Sequence, residues 1–366
     1  MVVWQQISRS GRRWLSPIAD WWRSLVIRRF IALFLVGIGF SVALVSCVPG
    51  AANSSNVELT LVSFAVTRSA YKTIIPKFVD HWQQDHGQTV NISQSYGGSG
   101  AQARAVVDGL DADVVHLALA LDVDRIAKAG LIKSDWEQAV PNQGIVTKSV
   151  AALVTRPDNP KQINTWADLA KNGVNLVTAD PKTSGVARWN FLALWNAAIK
   201  AGQSDAEAEQ FVTQVYKNAP VLTRDAREAT DAFFKQGQGD ALINYENEIL
   251  LASTQGETLP YTIPDVNISI DNPIAIVDKN VTSHRNREVV EAFVQYLFTP
   301  EAQAEFAKAG FRPVETTIAK TKEFAEKYPP VKTLGRVTDY GGWSVIQKKF
   351  FADGAMFDTI QTALRQ

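Results

Sequence analysis

The chain has 366 residues, 46% hydrophobic and 20% charged, with 37 Lys+Arg against 37 Asp+Glu and a formal net charge of zero. That length accommodates two compact domains, and the composition is that of an ordinary globular protein. Balanced charge excludes the basic excess that marks a nucleic-acid surface, so an anion bound here must be held by local donors rather than a global positive field.

Residues 1–27 are rich in Trp and Arg (Trp4, Trp14, Trp21, Trp22) and read as an N-terminal extension outside the fold. Arg28 and Arg29 then precede an apolar run, Phe30 to Val45, which ends Leu44-Val45-Ser46-Cys47. A basic stretch, an apolar stretch and a small residue are the order of a secretory signal. Leu-Val-Ser-Cys also resembles a bacterial lipobox, which implies that Cys47 becomes the lipidated first residue of a periplasmic protein tethered to the membrane. A plain transmembrane anchor is the other reading, and the run is short for one. Cys47 is the one cysteine, so no intramolecular disulfide forms. Residues 48–56, with Pro, Gly, Ala, Ser and Asn, read as a flexible linker.

After the linker, Val57 to Phe64 predicts a strand, and Tyr71 to His86 has helical apolar spacing ending at Gly87. Thr89 to Ser95 alternates as a strand and delivers the chain to Gly97-Gly98-Ser99-Gly100, which opens a helix over 101–110. Val114 to Ala120 is a continuous apolar run suited to a buried parallel strand, followed by a short helix, Asp122 to Lys128. This β-α-β-α-β order predicts an α/β domain with its ligand beyond the carboxyl ends of the strands. A second α/β unit begins with a strand over 149–155. Asn175 to Ala179 is a strand, Val186 to Ala201 a long helix, and Ala206 to Asn218 another. Pro220 to Thr223 is a short strand running into Asp225-Ala226-Arg227, which opens a helix over 228–236. Ala241 to Tyr245 is a strand and Glu246 to Thr254 a helix. Strands at 261–264 and 273–278 return the chain to the first domain, helices follow at 287–297 and 301–309, and the tail from Phe324 reads as helical.

Three of these helix starts share one chemistry. Pro181-Lys182-Thr183-Ser184-Gly185-Val186, Gly98-Ser99-Gly100 and Asp225-Ala226 each combine turn residues with small side chains before an apolar-periodic run. The first N–H groups of a helix lack intrahelical acceptors and the dipole favours negative charge there, so each start is a ready anion site. Three starts from distant segments can converge on one small anion. Ser99 can add a hydroxyl, with Gly98 and Gly100 letting the backbone approach closely. Ser184, Gly185 and Val186 can give consecutive N–H groups and Ala226 another. Each feature also has a plain reading: Ser99 as a helix cap, Tyr245 as a core tyrosine, Arg227 as a surface residue. A guanidinium just inside a helix start opposes the dipole, however, and so asks for a specific partner. Tyr245, at the carboxyl end of a strand, can bring an O–H donor to a cleft. The four histidines (His81, His86, His116, His284) show no metal-ligand spacing, and the glycine spacing around Ser99 is wrong for a nucleophile elbow. No enzyme, metal or cofactor is expected.

Four stretches carry a resemblance: Gln94 to Gly100, Asp113 to Ala120, Asp180 to Asn190 and Gly239 to Glu248. In order and spacing, from about residue 57 to the C-terminus, the chain resembles the periplasmic sulfate-binding proteins of ABC importers. That resemblance implies a hinged, two-lobed type II periplasmic-binding fold of class α/β with the ligand in the interlobe cleft. Lobe 1 would comprise residues 57–148 and 262–340 and lobe 2 residues 149–261, with a helical tail, 341–366, packed on both. It implies that a dehydrated sulfate, or thiosulfate, is held by the Ser99 hydroxyl and by the N–H groups of Ser184, Gly185, Val186 and Ala226, with Arg227 behind them. Ala65 stands where relatives place a residue donating its backbone N–H, and Tyr245 stands where they place a Trp indole. The partners implied are the importer's membrane subunits, and the protein would act as a monomer. A binding protein for molybdate or tungstate, and a membrane-anchored anion sensor, are the alternatives.

Overall fold

Alternating β-rich runs and amphipathic helices build two sheets, each edged by the helix starts singled out above. The computed structural model describes residues 56–328 and 330–365. Cys47, the extension and the apolar run before it lie outside the described residues. The chain runs β1 (Val57–Phe64), α1 (Arg68–His86), β2 (Val90–Gly97), α2 (Ser99–Val107), β3 (Val114–His116), α3 (Ala120–Lys128) and β4 (Ile145–Ser149). It continues with β5 (Ala151–Thr155), β6 (Leu176–Ala179), α4 (Gly185–Lys200), α5 (Asp205–Lys217), β7 (Leu222–Thr223), α6 (Ala226–Phe234), β8 (Ala241–Tyr245), α7 (Glu246–Thr254) and β9 (Tyr261–Thr262). Then come β10 (Val266–Ile268), β11 (Ile270–Ile276), α8 (Asp278–His284), α9 (Arg287–Tyr296) and α10 (Pro300–Lys308). The tail holds α11 (Thr316–Ala319), α12 (Lys322–Lys327), β12 (Thr333–Gly335), α13 (Gly342–Ile346) and α14 (Met356–Leu364).

The first sheet has the order β2-β1-β3-β11-β4 and the second β7-β6-β8-β5-β9. In each, a parallel set (β2, β1, β3; β7, β6, β8) is joined by antiparallel strands that close the sheet (β11, β4; β5, β9). The single strand expected over 149–155 is two. Val150 is the step between them, so the chain passes from one sheet to the other within a residue. The return passage runs from β9 through β10 to β11. The two passages are clasped: Asn267 Nδ2 donates to the Ala151 carbonyl (2.8 Å) and the Ala151 N–H donates to Asn267 Oδ1 (3.0 Å). Thr262, expected to have returned to the first domain, still pairs with Leu153 in the second sheet.

Two other expectations change for tertiary reasons. The apolar run 114–120 is a strand only to His116, because the Ala118 peptide is drawn out of the ladder by side chains. Its N–H donates to Ser99 Oγ (2.9 Å) and its carbonyl accepts from Trp189 Nε1 (2.9 Å) and Asn272 Nδ2 (3.1 Å). The tail is not wholly helical: β12 pairs in parallel with β10, and a π-helical turn covers Gln347–Phe351. Helix α4 is mostly apolar and buried along nearly its whole length, so it must be covered on most sides. The tail supplies part of the cover, setting Trp343 edge-on against Trp189 (4.7 Å between ring centres) and Phe350 against Trp195 (4.8 Å). Among the described residues no helix is long and apolar enough to cross a membrane.

At the amino ends of the first sheet, Asp113 Oδ2 accepts the Thr60 N–H (2.8 Å), while Asp113 Oδ1 and Asp111 Oδ2 face the two ring nitrogens of His284 (2.8 and 3.1 Å). The Asp113 carboxylate, then Asp111, raises the His284 pKa above its ordinary value, against a smaller effect of burial. A raised folded-state pKa gives stability that is present below about pH 6.5, the ordinary histidine value, and is lost as pH rises through the folded value. His284→Gln should therefore lower stability at pH 5.5, by about 1 kcal/mol or less because the ring is partly exposed, and lower the melting temperature with it. In a thermal-unfolding series the difference from wild type should close as the medium becomes alkaline.

Candidate functional site

Parallel register decides where the helix starts emerge. β1 and β2 pair with Phe64 opposite Gly97, so Ala65 and Gly98-Ser99 leave the sheet side by side. On the second sheet β6 leads into Asp180–Ser184, β7 into Asp225-Ala226, and β8 ends at Tyr245. All these carboxyl ends meet around one small cavity of about 190 Å³ including its mouth. Its walls include Ala65, Gly98, Ser99, Ser184, Gly185, Val186, Ala226 and Tyr245, along with Phe64, Val66, Gly97, Ala118 and Asp225. Gly100 and Arg227 stand behind the wall. The helix starts proposed from sequence thus converge, joined by a fourth at Ala65, where a 3₁₀ turn (Ala65–Thr67) leads into α1.

The hydrogen bonds of the two serines differ from those expected. The Ser99 hydroxyl was expected to face the ligand, but Ser99 Oγ donates to Asp122 Oδ2 (2.6 Å) and accepts the Ala118 N–H (2.9 Å). What remains for a ligand is the Ser99 backbone N–H, in the first turn of α2 with Gly98 as N-cap. The Ser184 N–H was expected as a donor, but it already donates to the Asp180 carbonyl (2.9 Å). Ser184 is the N-cap of α4 and its side chain makes no capping bond, which leaves its hydroxyl for the cavity. Asp122, 23 positions from Ser99, carried no signal in the sequence and was missed. The N–H groups of Gly185, Val186 and Ala226 open their helices, where no intrahelical acceptor exists.

Tyr245 is buried, its hydroxyl has no partner among the described residues, and its ring meets Phe64 edge-on (6.2 Å). Burial, reinforced by the Asp122 and Glu248 carboxylates, pushes its pKa well above the ordinary phenol value, so it stays protonated and can donate. The neighbouring cations are already matched. Arg227 donates from Nη2 to Glu248 Oε1 (2.8 Å), and Thr230 Oγ1 donates to Glu248 Oε2 (3.0 Å). Arg188, buried on α4, places Nη1 3.8 Å from Asp122 Oδ1 on α3 and donates from Nε to the Pro181 carbonyl (2.8 Å). Asp225 uses Oδ1 to accept the Glu228 N–H (3.0 Å), capping α6. What faces the cavity is a set of neutral donors.

The histidines lie elsewhere. His116 is inside the first sheet against Tyr71 (2.8 Å), and burial lowers its pKa to about 3, so it is neutral. His81 pairs with Glu301, and His86 stacks on Trp82. Among the described residues no group of His, Cys, Asp and Glu could hold a metal ion.

The two sheets interlock at the cavity. The Trp189 Nε1–Ala118 carbonyl bond joins them, as does Arg104 Nη1 donating to the Lys182 carbonyl (3.3 Å). A Cβ on Gly98 would lie 2.7 Å from the Thr183 carbonyl oxygen, and one on Gly185 would lie 2.3 Å from Ala118 Cβ. Glycine at both positions is what lets the two edges close.

Two sheets joined by clasped passages, with helix starts from both aimed into the cleft, define a hinged, two-lobed binding protein of the type II periplasmic fold. The chain belongs to the family described as bacterial extracellular solute-binding protein, whose model matches residues 63–312. It is 55% identical over 308 residues to the sulfate-binding protein of Synechococcus elongatus, covering 84% of this chain and 87% of that one. It is 36% identical over 316 residues to the thiosulfate-binding protein of Pseudomonas aeruginosa (85% and 94% covered). The structure of the sulfate-binding protein SubI from Mycobacterium tuberculosis is similar at a TM-score of 0.74 and 34% identity, over 81% of this chain and all of that one.

Gly185→Ala tests the closure directly. The added methyl sits at the first position of α4, where alanine is a good helix residue, so stability without ligand should change by about 1 kcal/mol or less. Because that methyl would occupy the space of Ala118 Cβ, anion affinity should fall by roughly 10- to 100-fold, the overpacking cost converted to binding. Calorimetry beside thermal unfolding reads both.

Proposed function

We propose that this chain captures sulfate, or the closely related thiosulfate, outside the cytoplasmic membrane and delivers it to an ABC importer. The observation that carries this reading is the donor set: helix-start N–H groups of Ala65, Ser99, Gly185, Val186 and Ala226, with the Ser184 and Tyr245 hydroxyls, around one small cavity. A dianion leaving water must find a full shell of donors, and helix starts supply them with dipoles already oriented. Because Arg188 and Arg227 are matched by carboxylates, no formal countercharge would hold the ion, which suits a ligand that must later be released. The anions for which the relatives are named, sulfate and thiosulfate, agree with this donor chemistry. Gly98 and Gly100 would let the backbone approach, and Arg227 would steady the start of α6 through Glu248.

In this reading the sheet of β1–β4 and β11 is the core of one lobe and the sheet of β5–β9 that of the other. The passages at 149–151 and 262–270 would be the hinge, and the tail after residue 341 would pack mainly on α4 and α5. The protein works as a monomer, tethered through Cys47. Mass spectrometry of the mature N-terminus should find residue 47 first and diacylated; a chain starting at residue 1 would contradict the tether and favour an uncleaved anchor.

Binding is the primary test. Titration calorimetry of residues 48–366 should show 1:1 sulfate binding. Ser184→Ala and Tyr245→Phe should each weaken it about 10- to 100-fold, as expected for a hydrogen bond to a charged group. Ser99→Ala should weaken it less than either, because the Ser99 hydroxyl is turned to Asp122. Hydrogen phosphate brings a donor that few acceptors can meet, and should bind roughly 100-fold more weakly or worse. Molybdate binding without sulfate binding would overturn the ligand while leaving the fold reading intact.

A further inference from the structure

Tyr245 is the N-cap of α7, and the next residue, Glu246, does not face the cavity. It is buried, and its carboxylate takes the Arg312 guanidinium in a two-pronged pair, Nε to Oε2 at 2.6 Å and Nη2 to Oε1 at 2.9 Å. Arg312 is held in turn by the first sheet: its N–H donates to the Lys148 carbonyl (2.9 Å), while its carbonyl accepts the Lys148 N–H (3.3 Å), extending the β4 edge. The Glu246 N–H donates to the carbonyl of Val150, the residue at which the chain steps between sheets (2.9 Å). One residue after the phenol, the second sheet is therefore pinned both to the first passage and to the strand edge beyond it. The Tyr245 hydroxyl has no partner among the described residues to hold it in place; its backbone does have one, Asn244 Oδ1 at 2.8 Å.

We infer that Glu246 and Arg312 are positioning residues for anion capture: their partly buried pair across the hinge fixes the β8–α7 junction and so the place of the Tyr245 hydroxyl. The inference rests on the sulfate reading above. A carboxylate–guanidinium fork fixes direction as well as distance, which a lysine ammonium does not. A buried pair is weak evidence for stability as such, since its desolvation offsets most of its attraction; what it fixes well is geometry.

The test is a double-mutant cycle on residues 48–366, with sulfate affinity measured by calorimetry and folding by thermal unfolding. The variants are Tyr245→Phe, Arg312→Lys and their combination, with Glu246→Gln as a second way to break the fork. Arg312→Lys should weaken sulfate roughly tenfold, within the usual range for coupled sites. In the Tyr245→Phe background the same change should weaken it by less than about twofold, because the hydroxyl it positions is gone. Glu246→Gln should follow the same pattern. Any loss of melting temperature should be equal in both backgrounds. Additive losses of affinity, or a folded Arg312→Lys protein with wild-type affinity, would overturn the inference while the ligand stands. Failure of the wild-type protein to bind sulfate or thiosulfate would instead overturn the reading on which it rests.

Discussion

A small dianion stripped of water has to be surrounded by donors before it can be enclosed, and that requirement organises this molecule. Backbone N–H groups are the cheapest donors to orient, and the first turn of a helix leaves them unpaired. Parallel strands deliver several such turns to one edge, and two sheets facing each other double the number. The α/β architecture is therefore the means by which Ala65, Ser99, Gly185, Val186 and Ala226 arrive at one cavity from segments far apart in sequence.

Enclosure then constrains what surrounds the donors. Glycine is required where backbones meet across the cleft, at Gly98 and Gly185. The guanidiniums near the site are matched to Asp122 and Glu248, so attraction is spread over dipoles rather than concentrated in one ion pair. Trp189 bonds across the cleft, and α4, which carries it, is buried along most of its length, in part by the tail. The side away from the site is held differently, through the Asn267 clasp and the Glu246–Arg312 pair.

Much of this was legible in the sequence because it is local. Gly-Gly-Ser-Gly, Thr-Ser-Gly-Val and Asp-Ala-Arg announce helix starts through turn chemistry alone, and strand order placed them at carboxyl ends. What was not legible depends on partners distant in sequence. The two serines look equivalent as text. Only Asp122, brought next to Ser99, and Asp180, closing a turn on Ser184, decide which offers its hydroxyl and which its N–H. The run 114–120 has the hydrophobicity of a strand throughout, yet three side chains from other segments pull Ala118 out of it. The step at Val150 is silent for the same reason: one apolar run serves two sheets, and nothing local marks the change.

A crystal structure of residues 48–366 grown with selenate, whose selenium gives an anomalous signal in place of sulfur, tests the central claim most directly. The account predicts one strong peak inside the cavity, its oxygens within hydrogen-bond distance of the N–H groups of Ala65, Ser99, Gly185, Val186 and Ala226 and the hydroxyls of Ser184 and Tyr245. A closed cleft without the peak, or selenate bound instead against lysine or arginine side chains on the surface, would contradict it.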